Sequence, residues 1–368
     1  MKDLILSFAV AVMRFVNLFF KPLKLKDKVV IISRQSDTPT MDIKMLQEEL
    51  QKRNIKVQVL TKTLHGPSYV FHMASQMKAI ATSKVVVLDG YCILASVLPK
   101  KKGQKIVQMW HSLGAIKKFG WQSAGNMDGH SPKMAARLNM HGNYDYFLAT
   151  SEETGRFFAE AFKTPFEKRA PYGLPRIDFI RGENPQLAAE ILKEYPEAGQ
   201  KPIVLYVPTF RKNAAVAMEK LVAGFDFESF NLVIKKHFLD KGDYSFAREK
   251  GAIVEDKFGS LDWMKVSQKV VTDYSAISLE AALAEKELYI FQPDAGSYSD
   301  RVGINMDLAS EAIGPYFSTT EEELFQQLKA PYDMEKLIAF RDKYFEIPID
   351  NCTADLGDFI QSLLAKDL

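Results

Sequence analysis

The sequence is poor in cysteine, and this excludes several kinds of protein. Its 368 residues include only two cysteines, Cys92 and Cys352, with no CxxC pair and no cluster of cysteine with histidine. A zinc site or a disulfide framework is therefore not expected, and a reducing compartment is the simpler setting. The net charge is only +2, and aromatic residues are not interleaved with a basic run. A nucleic-acid partner is therefore not expected either.

The common phosphate-binding motifs are also missing. The sequence has no Walker A motif and no GxGxxG, so it gives an ATPase little support. It has no internal repeat, no low-complexity tract and no cage of carboxylates for a metal ion, so we expect no dedicated metal site and no cofactor, while a need for a divalent metal stays open. Its composition, 47% hydrophobic and 26% charged, is typical of a globular protein with a sizeable core. The length predicts two domains of ordinary size.

Long apolar runs are absent except at the amino terminus. Residues 4–20 are mostly apolar, but Arg14 interrupts them, so a clean membrane span of about 20 residues is not available. On a helix the polar residues of this region form one stripe, and four lysines follow: Lys21, Lys24, Lys26 and Lys28. This pattern predicts a membrane-interface helix and basic linker over residues 1–28, on the cytoplasmic leaflet. The alternative is a helix packed on the protein's own core.

Beyond residue 28 the chain alternates between apolar strands and helices. The first series predicts strands at 29–33, 57–60, 85–89, 106–110 and 144–150. A stretch rich in proline and glycine follows at about 164–200. The alternation then restarts, with strands at 203–207, 231–235, 253–254, 270–271 and 288–291 and three final helices. We therefore predict an α/β protein with two Rossmann-like domains, 29–180 and 181–368, separated by a cleft.

Two histidines close predicted strands and are the first candidates for chemistry. His111 follows the strand at 106–110, and His237 follows the strand at 231–235. Ligands bind at the carboxyl ends of strands in open α/β sheets. The nearby lysines Lys117 and Lys235 suit a ligand rich in negative charge. The alternative is that both histidines lie on a solvated basic rim. The other four, His65, His72, His130 and His141, have no comparable setting.

A second group of residues predicts a pyrophosphate site in the second domain. At residues 270–282 a strand ends, small polar residues turn and a helix begins, so Ser275 and Ser278 could hold phosphate beside the helix start. The alternative is that Ser275 only caps the helix. Arg211 could fork onto a phosphate, and Arg176 lies in another strand-end loop. Thr272 belongs to the same turn. The acids Asp273 and Glu280 are candidates to pair with a base or a ribose.

Taken in order, these motifs resemble a known family. They are Trp110-His111 with Lys117-Lys118, the run from Tyr172 to Asp178, Pro208-Thr-Phe-Arg211, Lys235-Lys-His237 and Thr272-Asp-Tyr-Ser275. The series resembles the CDP-glycerol glycerophosphotransferase family of teichoic-acid synthesis. The resemblance implies a GT-B fold and a membrane-associated enzyme. Such an enzyme moves glycerol phosphate or ribitol phosphate from a CDP-alditol to a lipid-linked acceptor and releases CMP.

The resemblance also implies roles for residues. His111 and His237 correspond to the family's two functional histidines, and Arg211, Ser275 and Ser278 to its nucleotide-phosphate site. We expect His111 to be the base or to orient the acceptor, and His237 and Arg211 to hold the pyrophosphate.

The sequence also departs from the common glycerol-type motifs. After His111 the chain reads Gly114-Ala-Ile-Lys-Lys-Phe-Gly120, which is more like the ribitol branch, and Lys236 replaces a proline before His237. The donor alditol therefore stays open. Two other functions stay open too: a glycosyltransferase that uses a nucleotide sugar, and a membrane-bound scaffold with a degenerate transferase fold. Whether the protein is a homo-oligomer is also left open.

Overall fold

The structure is a computed structural model that describes residues 2–64, 68–126, 131–211, 214–237 and 239–365. The chain divides into two compact units. Unit 1 is Met1–Asp178 with Phe345–Leu368, and unit 2 is Phe179–Tyr344. Each unit is built around one parallel sheet.

Unit 1 contains a parallel sheet of six strands. They are β1 (Lys26–Ser33), β2 (Lys56–Thr61), β3 (Ser83–Leu88), β4 (Lys105–Gln108), β5 (Tyr146–Leu148) and β6 (Arg169–Ala170), in the order β2-β1-β3-β4-β5-β6. The central strands β1 and β3 are runs of valine and isoleucine that are almost fully buried. This is what a parallel sheet covered on both faces requires. The predicted strands are found, and β6 is an addition that the turn-rich sequence concealed.

The helices of unit 1 connect these strands. They are α1 (Lys2–Leu18), α2 (Met41–Lys52), α3 (Ser68–Thr82), α4 (Ile93–Val97), α5 (Pro132–Arg137) and α6 (Glu152–Phe162), with α7 (Arg176–Arg181) at the end of the unit. Helix α6 begins after Ser151, whose side chain accepts a hydrogen bond from the Thr154 N–H at 3.1 Å. Ser151 is therefore a side-chain N-cap, a position at which serine is favoured.

Unit 2 contains a second parallel sheet of six strands. They are β7 (Ile203–Val207), β8 (Asn231–Ile234), β9 (Ile253–Val254), β10 (Lys269–Thr272), β11 (Glu287–Phe291) and β12 (Phe317–Ser318), in the order β12-β11-β10-β7-β8-β9. Its helices are α8 (Pro185–Glu194), α9 (Ala214–Gly224), α10 (Ser245–Glu249), α11 (Ser260–Met264), α12 (Ile277–Leu283), α13 (Ala295–Val302), α14 (Glu321–Lys329) and α15 (Met334–Tyr344). The ends of β7, β8 and β10 are therefore neighbours.

The end of the chain returns to unit 1. Helix α16 (Cys352–Ala365) buries Leu356 and Ile360 and packs against α2. The Asp178 carboxylate accepts hydrogen bonds from the backbone N–H groups of Cys352 at 2.7 Å and Thr353 at 2.8 Å, at the start of the helix. The sequence analysis assigned residues 181–368 to the second domain. The structure differs because the apolar face of α16 is buried on α2.

The amino-terminal helix α1 packs on unit 1 with one face only. Val10 and Met13 are buried in the core, and the Arg14 Nε donates a hydrogen bond to the Val97 carbonyl oxygen at 3.2 Å. A second apolar face is exposed, formed by Phe8, Val12, Phe15, Leu18 and Phe19. Among the described helices, none is long and apolar enough to cross a membrane. Lys26 and Lys28, predicted in a linker, begin strand β1.

Candidate functional site

His111 lies in a tightly held turn after β4. The residue before it, Trp110, has a φ of 64°, a conformation that is strained for a bulky side chain. The Trp110 indole stacks on Phe119, with ring centroids 4.6 Å apart, and its backbone N–H donates to the Gln108 Oε1 at 2.9 Å. Gln108 is buried, and its Nε2 donates to the Tyr144 hydroxyl at 2.8 Å. The surrounding core therefore fixes the position of His111.

The imidazole of His111 is oriented by a backbone carbonyl. Its Nδ1 lies 2.7 Å from the carbonyl oxygen of Asp89 and 3.2 Å from the Gln35 Nε2. A carbonyl oxygen can only accept, so the shorter contact assigns the proton to Nδ1 and leaves Nε2 with its lone pair. Burial lowers the pKa of His111, and this outweighs the Asp89 carbonyl, which acts to raise it; the charge of Arg176 lowers the pKa further. A neutral imidazole with a lone pair on Nε2 can accept a proton.

Asp89 lies beside this histidine and is the most unusual acid of unit 1. Its side chain is buried, and neither carboxylate oxygen has a hydrogen-bond partner among the described residues. Burial raises its pKa to about 6. Asp89 lines a small cavity with Ser33 and Gln76, and the Gln76 Oε1 also has no partner in the described chain. Perturbed carboxyls of this kind are concentrated at functional sites.

Two arginines of unit 1, Arg34 after β1 and Arg176 at the start of α7, differ in their partners. The Arg176 guanidinium binds the buried carboxylate of Asp42, with Nε at 2.9 Å and Nη2 at 2.5 Å from Oδ2. Its backbone N–H donates to the other carboxylate oxygen at 2.8 Å. Arg34, directly after β1, lies over the Tyr91 ring at 5.2 Å. Arg176 was predicted to bind substrate; its observed partner is Asp42. Lys117 lies in the loop after His111 and is partly exposed.

In unit 2, Arg211 is held by two acids. Its Nε and Nη2 each donate to the Asp294 carboxylate at 2.9 Å, and Nη1 donates to Asp273 at 2.5 Å and to the Thr209 carbonyl oxygen at 3.1 Å. These contacts use four of the five guanidinium N–H groups. Burial acts to raise the pKa of Asp294, but the Arg211 hydrogen bond and charge outweigh it and lower that pKa. The sequence predicted that the Arg211 guanidinium would bind a phosphate through two N–H groups. In the structure it binds the Asp294 carboxylate in this way.

Asp273 ties two strand-end loops of unit 2 together. Its side chain is fully buried and accepts hydrogen bonds from the Thr209 hydroxyl at 2.6 Å and the Tyr274 N–H at 2.6 Å. Thr272 is also buried, and its hydroxyl donates to the Val207 carbonyl oxygen at 2.8 Å. The carboxylate that was expected near a base or ribose therefore holds the loop after β10 against the loop after β7.

The serines near α12 differ in exposure. The Ser278 hydroxyl is buried and donates to the Ser275 carbonyl oxygen at 2.9 Å, and Glu280 is buried on the same helix. Ser275 is partly exposed. The residue that precedes α12 is Ala276, and the Ser275 Oγ accepts a hydrogen bond from the backbone N–H of Ile277, the first residue of the helix, at 3.4 Å. This contact agrees with the capping alternative, and the partly exposed Ser275 keeps its own O–H group to donate to a ligand.

His237 follows β8 and has the opposite ring arrangement to His111. Its Nδ1 accepts a hydrogen bond from the Leu239 N–H at 3.3 Å, which places the proton of a neutral ring on Nε2. The ring lies 5.5 Å from that of Phe210, in the loop after β7. The Lys235 Nζ donates to the Glu255 carbonyl oxygen at 3.3 Å. This tautomer has a hydrogen-bond donor at Nε2, a kind of group that binds phosphate oxygens.

The structure groups the predicted residues at two strand edges. His111 lies in unit 1, while Arg211, His237 and Ser275 follow the adjacent strands β7, β8 and β10 of unit 2.

The sequence analysis missed Gln35, Asp89, Gln108 and Asp294. Of these four residues, only Asp89 could have been identified from the sequence, because Asp89 and Gly90 directly follow a buried strand. His141 is buried and hydrogen-bonded to Tyr144 at 2.9 Å. His65 and His130 lie outside the described residues. Among the described residues, no group of acids, histidines and cysteines could hold a metal ion.

Comparison with known proteins identifies the class to which this fold and site belong. The family model described as CDP-Glycerol:Poly(glycerophosphate) glycerophosphotransferase matches residues 13–360. The chain belongs to this family of transferases. The resemblance noted in the motifs is therefore confirmed over nearly the whole sequence.

Two curated relatives and one solved structure are similar over most of the chain. The teichoic acid ribitol-phosphate primase of Bacillus spizizenii is 26% identical over 359 residues, which cover 92% of each protein. The teichoic acid glycerol-phosphate primase of Bacillus subtilis is 25% identical and covers 80% of this chain and 77% of the relative. A structure of the wall teichoic acid polymerase TagF has a TM-score of 0.71 at 20% identity and covers 99% of this chain and 97% of that one. The GT-B-like fold is therefore confirmed.

Proposed function

We propose that the protein transfers an alditol phosphate from a CDP-alditol to a lipid-linked teichoic-acid acceptor and releases CMP. A hydroxyl of the acceptor attacks the phosphorus that carries the alditol. A new P–O bond forms to the acceptor, the bond to the bridging oxygen breaks, and CMP leaves with that oxygen. Such a reaction requires positioning, a proton acceptor for the hydroxyl and stabilisation of the leaving phosphate.

The observation that carries this proposal is the hydrogen bond from His111 Nδ1 to the carbonyl oxygen of Asp89 at 2.7 Å. It leaves Nε2 as a proton acceptor, and the lowered pKa of His111 keeps the ring neutral near pH 7. His111 is therefore the general base of the proposal.

Unit 2 supplies the donor side of the proposal. His237 offers its Nε2–H to the pyrophosphate, and Ser275 and Lys235 lie at the same strand edge. Arg211 acts differently from the predicted fork: it holds Asp273 and Asp294, and with them the loops that carry the donor site, in place. It offers a ligand at most its remaining N–H group. Thr272, Ser278 and Glu280 support these loops from within the core.

The experiment that tests the proposal is a comparison of donors. The purified protein is incubated with CDP-glycerol, CDP-ribitol, a UDP-sugar and a GDP-sugar, each with a lipid-linked acceptor. We expect CMP from one of the two CDP-alditols and no nucleotide from the sugars. Release of UDP or GDP would favour the glycosyltransferase. Release from no donor would favour the scaffold. Comparison of CDP-glycerol with CDP-ribitol decides the alditol.

We further propose that α1 holds the protein on the cytoplasmic face of the membrane. The exposed residues Phe8, Val12, Phe15 and Phe19 recur at helical spacing and form one stripe,. Lys21 and Lys24 follow and are exposed, so that they can bind anionic headgroups. The two alternatives from the sequence are compatible, because one face of α1 packs on the core and another stays exposed.

A further inference from the structure

We propose that a cavity of unit 1 binds the hydrocarbon chain of an amphiphilic ligand, while Arg34 binds the phosphate of the same ligand. This inference rests on the proposed function, since a lipid-linked acceptor contains both groups. It adds a binding site and a residue that binds the acceptor's phosphate. Both belong to the reaction for which His111 is proposed above as the base.

The cavity has the size and lining of a ligand site. Its volume is about 310 Å³, at the lower end of the range that encloses organic ligands. Among the described residues Arg34 is the one charged residue of the lining, and the others are apolar or aromatic, including Ile93, Met134 and Leu138. The Tyr91 hydroxyl donates to the Leu138 carbonyl oxygen at 3.0 Å. The cavity therefore offers few hydrogen bonds, which suits a hydrocarbon better than a sugar ring.

Arg34 can bind an anion. Within the described chain its guanidinium lies over the face of Tyr91, at 5.2 Å, and forms no hydrogen bond or ion pair. Arg53, Arg176 and Arg211 of the same chain each bind a carboxylate. A phosphate oxygen pair matches the planar fork of a guanidinium. One positive charge at one end of an apolar cavity is complementary to one phosphate at the end of a hydrocarbon chain.

The charged end of the cavity is next to the proposed base. Gln35 follows Arg34, and its Nε2 lies 3.2 Å from the Nδ1 of His111. Arg34 and His111 follow β1 and β4, which are separated only by β3, so the strand ends lie about 10 Å apart. If Arg34 bound the phosphate, the polar part of the ligand would lie close to His111.

The apolar part of the cavity is next to α1. Helices α4 and α5 supply Ile93 and Met134 to the lining, and Leu138 directly follows α5. Both helices pack against α1. The hydrogen bond from Arg14 to the Val97 carbonyl oxygen joins α1 to the end of α4. The exposed apolar stripe of α1 and the cavity are thus close to each other in unit 1. The binding of a ligand that is anchored in a bilayer requires this proximity.

The first experiment measures binding of dodecyl phosphate to the full-length protein by calorimetry, below the micelle concentration. We expect saturable binding at least 100-fold tighter than binding of inorganic phosphate. Arg34→Gln and Leu64→Asp should each weaken it at least tenfold; Leu64 lines the cavity and is 45% exposed, so its replacement does not disturb the core. Arg156→Gln and Phe71→Asp are the matched controls, because both residues are exposed and lie outside the cavity.

Each outcome decides a separate point. Equal binding by the wild type, R34Q and L64D would overturn the inference, and so would equal affinity for inorganic and dodecyl phosphate, which would indicate a free phosphate site. Loss of binding on substitution of Phe8 and Phe15 alone would assign the lipid to α1 instead. If the cavity variants lose binding as expected while no CDP-alditol yields CMP, the lipid site stands and the proposed function fails.

Discussion

The Nδ1 atom of His111 lies 2.7 Å from the backbone carbonyl oxygen of Asp89, at the ends of two adjacent strands. Because a main-chain carbonyl cannot rotate away or ionise, it sets the tautomer of the imidazole more firmly than a side chain would. The same peptide segment carries the buried Asp89 carboxyl.

Replacement of His111 by alanine should abolish most of the transfer activity. Removal of a general base lowers kcat by roughly 10²–10⁴-fold. The residue is at a strand end and partly exposed, so the thermal unfolding midpoint should change little. The measurement is CMP release from a CDP-alditol, with His72→Ala on α3 as a histidine control. A wild-type rate for the purified His111 variant would show that it is not the base.

The rate should also report the protonation of His111. Its pKa is lowered by burial, so the neutral base persists below the usual titration range of histidine. We expect kcat/KM to be half-maximal at a pH below the usual titration range of histidine, as the imidazole takes up a proton. A pH profile that already falls by half at pH 7 would contradict this assignment. In the Gln35→Ala variant the plateau should persist, because the carbonyl of Asp89 remains.

Stability should respond to the buried carboxyl of Asp89. Its pKa is raised to about 6 from 3.8, so between these values the folded protein binds more protons than the unfolded chain. The free energy of unfolding therefore falls as the pH rises through this range. The shift corresponds to about 3 kcal/mol at neutral pH.

Asp89→Asn should recover part of this free energy. Urea unfolding at pH 7.5 should show a variant that is more stable than the wild type by about 1–3 kcal/mol, and the difference should shrink towards pH 4. Equal stability of the two proteins at pH 7.5 would mean that the ionised Asp89 is stabilised by interactions other than those described above.

Arg211→Ala should destabilise unit 2 as well as affect donor binding. It leaves the fully buried Asp273 without its cation, and breaking a buried ion pair costs about 3–5 kcal/mol. Lys257→Ala is the control, because its ion pair with Glu194 is exposed and contributes little. The measurement is urea unfolding. If the Arg211 variant unfolds like the wild type but no longer binds CDP, the arginine is the phosphate ligand predicted from the sequence.

The exposed stripe of α1 should be required for membrane binding. Substitution of Phe8, Phe15 and Phe19 by serine removes three aromatic rings that are 62–71% exposed. Each ring contributes on the order of 1 kcal/mol or more when it enters an apolar phase, so binding to anionic vesicles should fall at least about 100-fold. Flotation is the assay. Phe71→Ser serves as the control, since Phe71 is as exposed and lies on α3. Flotation of the triple variant with the vesicles would contradict the proposed anchor.

Much of the fold was readable from local patterns. The valine-rich strands β1 and β3, the helix over 41–52 and the N-cap at Ser151 follow from burial on both faces of a parallel sheet and from side-chain capping. Each of these patterns has its cause within a few residues of sequence. The edge strands β6 and β12 were missed, because each is two residues long and only one of the two is apolar, whereas the equally short β9 consists of Ile253 and Val254.

The α/β class, the two sheets and the placement of His111 and His237 at strand ends can all be read from the chain alone, because each depends on a contiguous apolar run and the residues directly after it. The partners of the charged groups depend instead on the folded molecule. Arg211 binds Asp294 and Asp273, and Arg176 binds Asp42, across 62 to 134 residues of chain. The return of α16 to unit 1 is of the same kind. Long-range pairing depends on which surfaces meet once the strands have assembled, and no local pattern contains that information.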